Sequence, residues 1–228
     1  MAPSAARPPH SFHALATLDR VQHLRELEAF EPARFLAPLR DEAGALEPSL
    51  PGLVSGLEGL RQVLGALESF ARKAMGIRLT HVLASAHVAP QLRTLLSTTV
   101  TAYGGNTELL RRRLASSLPA AVLDEVITAA ERTLALYTEL RGGVLDLVQR
   151  LAAGPQPWLI REARDRSLPE LERRRLRLLR VDLEQLAARP ERLEAAGFED
   201  RIKAYPVPDE EPEVEEAGAP RFSLIEID

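Results

Sequence analysis

The residues able to do chemistry in this chain are few, and their spacing argues against most of it. Five histidines are the first candidates for metal binding or proton transfer. A di-metal carboxylate bundle needs Glu-x-x-His pairs, so that carboxylate and imidazole project from one helical face. No histidine here has Glu three residues before it. His81 and His87 lie six apart, about 240° around a helix, so they cannot share a site by themselves. His10 and His13 fall at the proline-rich start. The absence of cysteine removes thiolate nucleophiles, thiolate metal sites and disulfides together. There is no Gly-x-Ser-x-Gly elbow to present a nucleophilic serine. "GLVSGLEG" (52–59) is glycine-rich, yet it lacks the Gly-Lys-Ser/Thr ending of a phosphate cradle and follows no strand, so it reads as a packing segment. Asp41 and Glu42 are adjacent and therefore diverge on a helix. The sequence is thus read as non-enzymatic, with no catalytic residue, metal ligand or cofactor.

Charge is more informative. Residues 161–180 hold eight arginines against four acids, and from Asp182 onward fourteen acids stand against five bases. A basic helix followed by an acidic tail fits nucleic-acid binding with a self-competing tail, in which Arg173, Arg174, Arg175, Arg177 and Arg180 would contact phosphate; it equally fits intramolecular docking or two solvated faces. Aromatic residues do not interleave this run, which ranks nucleic acid below a protein partner. No basic N-terminal helix-turn-helix signature is present either. Lysine occurs only at Lys73 and Lys203, an arginine bias that fits a GC-rich bacterial coding sequence.

The end of the chain carries the most pointed signal. After "PVPDEEPEVEEAG" (206–218), too acidic and proline-rich to build a core, come Phe222, Leu224, Ile225 and Ile227. Apolar side chains at the end of a solvated tether form a hook. It would dock on a partner, as in strand addition to a sheet edge, or fold back onto its own body.

The elements that would position these groups are helical. Leucine and alanine dominate and aromatics make up only 4% of the chain, a bias that favours helix packing. From Phe12 to Phe30 large apolar residues recur every three positions, a stripe that circles a helix unless the helix breaks; Thr17 would cap a second piece. Pro32 starts another helix, Pro38 weakens it, and "GALEPSLPG" (44–52) is a loop. Leu53, Leu57, Leu60, Leu64, Leu67, Ala71 and Ala74 alternate steps of four and three, the pattern of a bundle helix. Its glycines imply close approach of a neighbouring backbone. Gly76 is expected to end it, with another helix over 78–103 kinked or restarted at Pro90 and striped by Leu92, Leu96, Val100 and Tyr103. Asn106 caps a short helix. Pro119 opens a helix of about 50 Å with a soft point at Gly142 and Gly143. "GPQPW" (154–158) is a hinge, and "SLPE" (167–170) is a capping box launching a helix to Arg189, with Leu176, Leu179, Leu183 and Leu186 on one face.

The expected fold is all-α: an irregular bundle of about six to eight helices, with a disordered N-terminal arm and an acidic C-terminal tail. The expected divisions are an arm at 1–10, a bundle at 11–153, a hinge with Arg-rich helices at 154–204 and the tail at 205–228. No apolar run approaches the ~20 residues that span a bilayer, and no secretory leader is apparent, so the sequence reads as cytoplasmic with no membrane partner. The expected role is interaction or scaffolding with a protein partner, and homo-oligomerisation through 52–74 or 123–151 is the companion expectation; the alternatives are a nucleic-acid-associated protein using the Arg-rich helix at 161–180 and an enzyme of an unrecognised helical family.

Overall fold

The structure is a computed structural model, and it describes residues 13–47, 49–103, 105–154 and 156–195. The described residues are all-α. They form α1 (Ala14–Arg20), α2 (Leu24–Glu28), α3 (Pro32–Gly44), α4 (Leu50–Ser85), α5 (Pro90–Tyr103), α6 (Thr107–Leu114), α7 (Ala120–Ala153), α8 (Gln156–Ala163), α9 (Glu170–Ala188) and α10 (Arg192–Ala195). The expected arm and tail lie outside these residues.

Two long helices make the spine. α4 and α7 run antiparallel: Leu151 approaches Gly56 at one end, while Thr133 bonds Arg78 toward the other. The leucines at 53–67 and Leu123, Ile127, Ala130, Val144 and Val148 of the second stripe are buried in the bundle that these helices build, while Leu134 stays exposed. The spine carries two cores. The larger joins α1, α3 and α8–α10 to the first two-thirds of α4 and the last half of α7. The smaller joins α5 and α6 to Met75, Leu79 and Leu83 of α4 and to the start of α7. Beyond Gly154, Leu159, Leu179, Leu183 and Leu186 enter the same larger core, so the helices after the proline-rich turn are packed on the body.

Several local expectations hold. Pro32 is the first residue of α3. The Asn106 side chain accepts from Leu109 N at 2.9 Å and caps α6, and Pro90 restarts the chain as α5. Others change, for identifiable reasons. The three-residue stripe near the start is broken at residues 21–23, so Leu18, Val21 and Leu27 all turn inward. The second piece is organised by Glu26, not Thr17: its carboxylate accepts from Gln22 N at 2.7 Å and His23 N at 3.2 Å. α3 continues through Pro38 to Gly44, and α4 starts at Leu50, where Ser49 Oγ accepts from Gly52 N.

Gly76 does not end α4. Leu79 and Leu83 extend the buried stripe and hold the helix together across the glycine. The stop comes at His87, whose φ of 55° places it in the left-handed region. There His87 N donates to Ala84 O and Val88 N to Leu83 O, the paired bonds of a Schellman cap. α7 is likewise unbroken at Gly142 and Gly143. The missing Cβ of Gly143 makes room for the Leu36 side chain of α3. The capping box at 167–170 does not form: Ser167 N and Oγ both donate to Asp165 Oδ1, at 2.9 and 2.8 Å, and Pro169 takes the cap position. These bonds hold the Asp165 carboxyl below its ordinary value, the backbone donor contributing most.

Candidate functional site

The arginines singled out in sequence sit on or beside α9, and most are engaged. Arg173 pairs with Glu170 at 2.5 Å, Arg175 with Glu172 at 2.9 Å, Arg177 with Glu170, and Arg180 with Glu184 at 3.4 Å. Helical geometry explains it: acids three, four or seven residues away share a face with these arginines. Arg161, Arg164, Arg166 and Arg174 are exposed and have no ion pair among the described residues. The hook residues Phe222, Leu224, Ile225 and Ile227 lie outside the described residues.

The body offers two apolar surfaces that periodicity did not reveal. The first lies between α5 and α6. Leu96 and Val100 are buried as the stripe requires, but Leu92 is 47% and Leu95 is 63% exposed. They border a groove of about 260 Å³ whose other wall includes Arg113 and Leu114. Leu95 stands one helical turn from Leu92, so the two form a continuous face on one side of α5. The second is a cleft of about 410 Å³ at the far end of the spine, where α3, α4, α7 and α8 meet. Leu53, Leu147, Leu151 and Trp158 give it an apolar lining, and Arg40 and Arg150 stand beside them. Gly56 shapes this end: a Cβ there would meet Leu46 and, at 2.9 Å, Leu151 Cδ2. The glycine thus seats leucine side chains, whereas at Gly52 the close neighbour is backbone, Glu47 O at 2.6 Å from a Cβ position.

A third cavity, about 480 Å³, is edged by charged side chains and lies beside α2, α4 and α7. Arg78, buried in the last third of α4, donates from Nη1 to Thr133 Oγ1 at 2.9 Å and from Nε to Glu28 at 3.2 Å. Arg132, Asp124 and Glu125 also line the cavity, and Asp124 is bound by Arg111 at 2.6 Å. Charges of both signs therefore face one space, which favours neither an anion nor a cation. Among the described residues no group of three or more histidines and acids is placed to hold a metal ion. No described helix is long and apolar enough to cross a membrane.

One contact gives meaning to a residue that interrupts the α7 stripe. Arg141 reaches α10, 53 positions along the chain, and holds Glu194 through Nε at 2.9 Å and Nη2 at 2.7 Å. This forked pairing keeps the guanidinium firmly charged. It fixes α10, the last described element, to the spine. Nothing local in the sequence pairs these residues; the only signal was a charge at a stripe position. No family model, curated protein or solved structure matches this chain.

Proposed function

We propose that the chain is a non-enzymatic helical interaction protein that binds a protein partner through the leucine face of α5. The observation that carries this is the exposure of Leu92 and Leu95 beside an apolar groove while Leu96 and Val100 of the same helix are buried. Grooves of this kind take an amphipathic helix, anchored by apolar residues at helical spacing. Self-association is the special case in which the partner is a second copy. The stripes at 52–74 and 123–151 are largely covered within one chain, Leu134 excepted, so the α5 face is the better candidate for that contact as well.

A photocrosslinking residue placed at Leu95 is expected to give one discrete adduct in cells. The same group at exposed Gln149 should give none, and Leu92→Glu should abolish the Leu95 adduct. Light scattering of the purified protein identifies a second copy if that is the partner. No adduct at Leu95 above the Gln149 control, together with a monomer at high concentration, would overturn the proposal.

A second reading has its own observation. The unpaired arginines Arg161, Arg164, Arg166 and Arg174 form a basic region that could contact phosphate, with Arg173, Arg175, Arg177 and Arg180 largely committed to acids. Binding would then weaken steeply with salt, because each phosphate contact releases counterions. Replacing those four unpaired arginines by Glu should abolish it, and a salt titration with duplex DNA and single-stranded RNA tests the point.

A further inference from the structure

We infer that the cleft walled by Trp158 is the docking site of the chain's own C-terminal segment, residues 222–227. This goes beyond the partner face on α5 and does not depend on it. Four observations converge. The first is chemical match. The segment joins Phe222, Leu224, Ile225 and Ile227 to the acids Glu226 and Asp228. The cleft joins leucines and an indole to Arg40 and Arg150, with Glu47 the one acid on its lining. An apolar segment edged with carboxylates therefore meets an apolar cleft on which guanidinium groups outnumber the single carboxylate.

The second is charge. Residues 205–228 carry eight acids and one arginine, so the tether is drawn toward exposed bases. Arg40 is exposed and has no ion pair among the described residues, which leaves it available to a carboxylate. Arg150 holds only a surface pair with Asp146, at 3.0 Å.

The third is reach. α10 ends at Ala195 and is pinned to the spine by the Arg141–Glu194 fork. Arg150 lies nine residues beyond Arg141 on the same helix, about 14 Å away at 1.5 Å per residue. The 27 residues from Ala195 to Phe222 could extend to roughly 90 Å, so the tether spans that gap with ample slack. The α5–α6 groove is farther from this anchor: Leu123, in the core beneath it, is 18 residues from Arg141, about 27 Å.

The fourth is size. At about 410 Å³ the cleft falls within the roughly 300–1,000 Å³ of clefts that hold ligands. A tether gives the segment a local concentration in the millimolar range, so docking needs only modest affinity for the isolated segment. The consequence is a clasp: the tail covers the Trp158 end of the body and would be released by whatever competes for Phe222 and its neighbours.

Trp158 is the only tryptophan, so its fluorescence reports the cleft directly. The experiment compares the full-length chain with full-length Phe222→Asp/Ile225→Asp. The double variant should show red-shifted emission and acrylamide quenching increased by about twofold as the shielded state is lost. A peptide of residues 219–228 added in trans should reverse both changes. Arg40→Glu/Arg150→Glu, with Phe222 and Ile225 intact, should reproduce the exposed signal, and its far-ultraviolet dichroism should remain that of the parent. Unchanged emission and quenching in the Phe222/Ile225 variant would overturn the inference. Shielding that disappears on dilution would overturn it in favour of a second copy's tail. Shielding that survives the variant and is removed by extracting a small organic acid would overturn it in favour of that ligand.

Discussion

At the residue scale the most consequential group is Arg78. A guanidinium buried in a helix interior is tolerated only when its donors are met, because an unpaired buried charge is strongly destabilising. Here Thr133 and Glu28 accept from it, and Thr133 Oγ1 in turn donates to Ala129 O at 2.9 Å. The arrangement is asymmetric, and that gives a testable order. Thr133→Val removes an acceptor from a buried cation and should cost about 1–3 kcal/mol. Arg78→Met removes the cation itself and leaves Thr133 bonded to its own helix, so its cost should be smaller. In the Arg78→Met background, Thr133→Val should cost little. Chemical denaturation of the four proteins measures this cycle, and additive losses would show that the two side chains are not coupled. Glu26 supplies a pH-dependent counterpart. Its two backbone donors, Gln22 foremost, lower its pKa in the folded chain below the ordinary 4.5. The stability it contributes is therefore present above that value and is lost as pH falls through the lowered folded pKa. The gap in melting temperature between the parent and Glu26→Gln should be largest near neutral pH and should close in acid. A gap that persists unchanged at low pH would show that charge plays no part.

At the scale of elements, the glycines of α4 separate by what surrounds them. Nothing lies within 4 Å of a Cβ placed on Gly65, whereas a Cβ on Gly52 would come within 2.6 Å of the backbone oxygen of Glu47. Both positions are helical, yet alanine should act in opposite directions. Gly65→Ala should stabilise by about 0.5–1 kcal/mol by restricting the unfolded chain. Gly52→Ala should destabilise by about 1–3 kcal/mol through crowding against backbone. Thermal melts of the two variants check the contrast. The same logic explains why α4 and α7 run straight through glycines that looked like stops. A helix continues where its buried stripe continues, and Leu79, Leu83 and Val144 supply that continuity.

For the whole molecule, two cores on one spine imply unequal local stability. The α5–α6 end has the smaller core and exposes Leu92 and Leu95, while the opposite end is enclosed by α1, α3, α8, α9 and α10. Regions with fewer buried apolar contacts open at lower free energy. Native-state hydrogen exchange should therefore find weaker protection over residues 90–114 than over 53–70 and 140–152. Equal protection across these ranges would mean that the two ends unfold as one unit. Such a division suits the proposed role, because a face that remakes its contacts on binding is drawn from the less stable end.

The sequence alone determined the helical class, the two long apolar stripes, and the starts at Pro32 and after Asn106; at Pro90 it left a kink and a restart both open. These follow from information carried within a few residues: periodicity, fixed proline geometry and a side chain that reaches its own backbone. Tertiary structure decided the rest. Gly76 and Gly143 became helix interior because Leu79 continues a buried stripe and Leu36 fills a space, and neither fact is local. One change is local: Asp165, two residues before Ser167, accepts from both its N and its Oγ and so takes it out of the cap. The apparent flaw at Arg141 became a clamp only when Glu194, 53 residues away, was brought beside it. The Trp158 cleft arose where four helices, the first and last more than a hundred residues apart, converge. Which apolar residues are left uncovered is a property of that packing, and no window of sequence contains it.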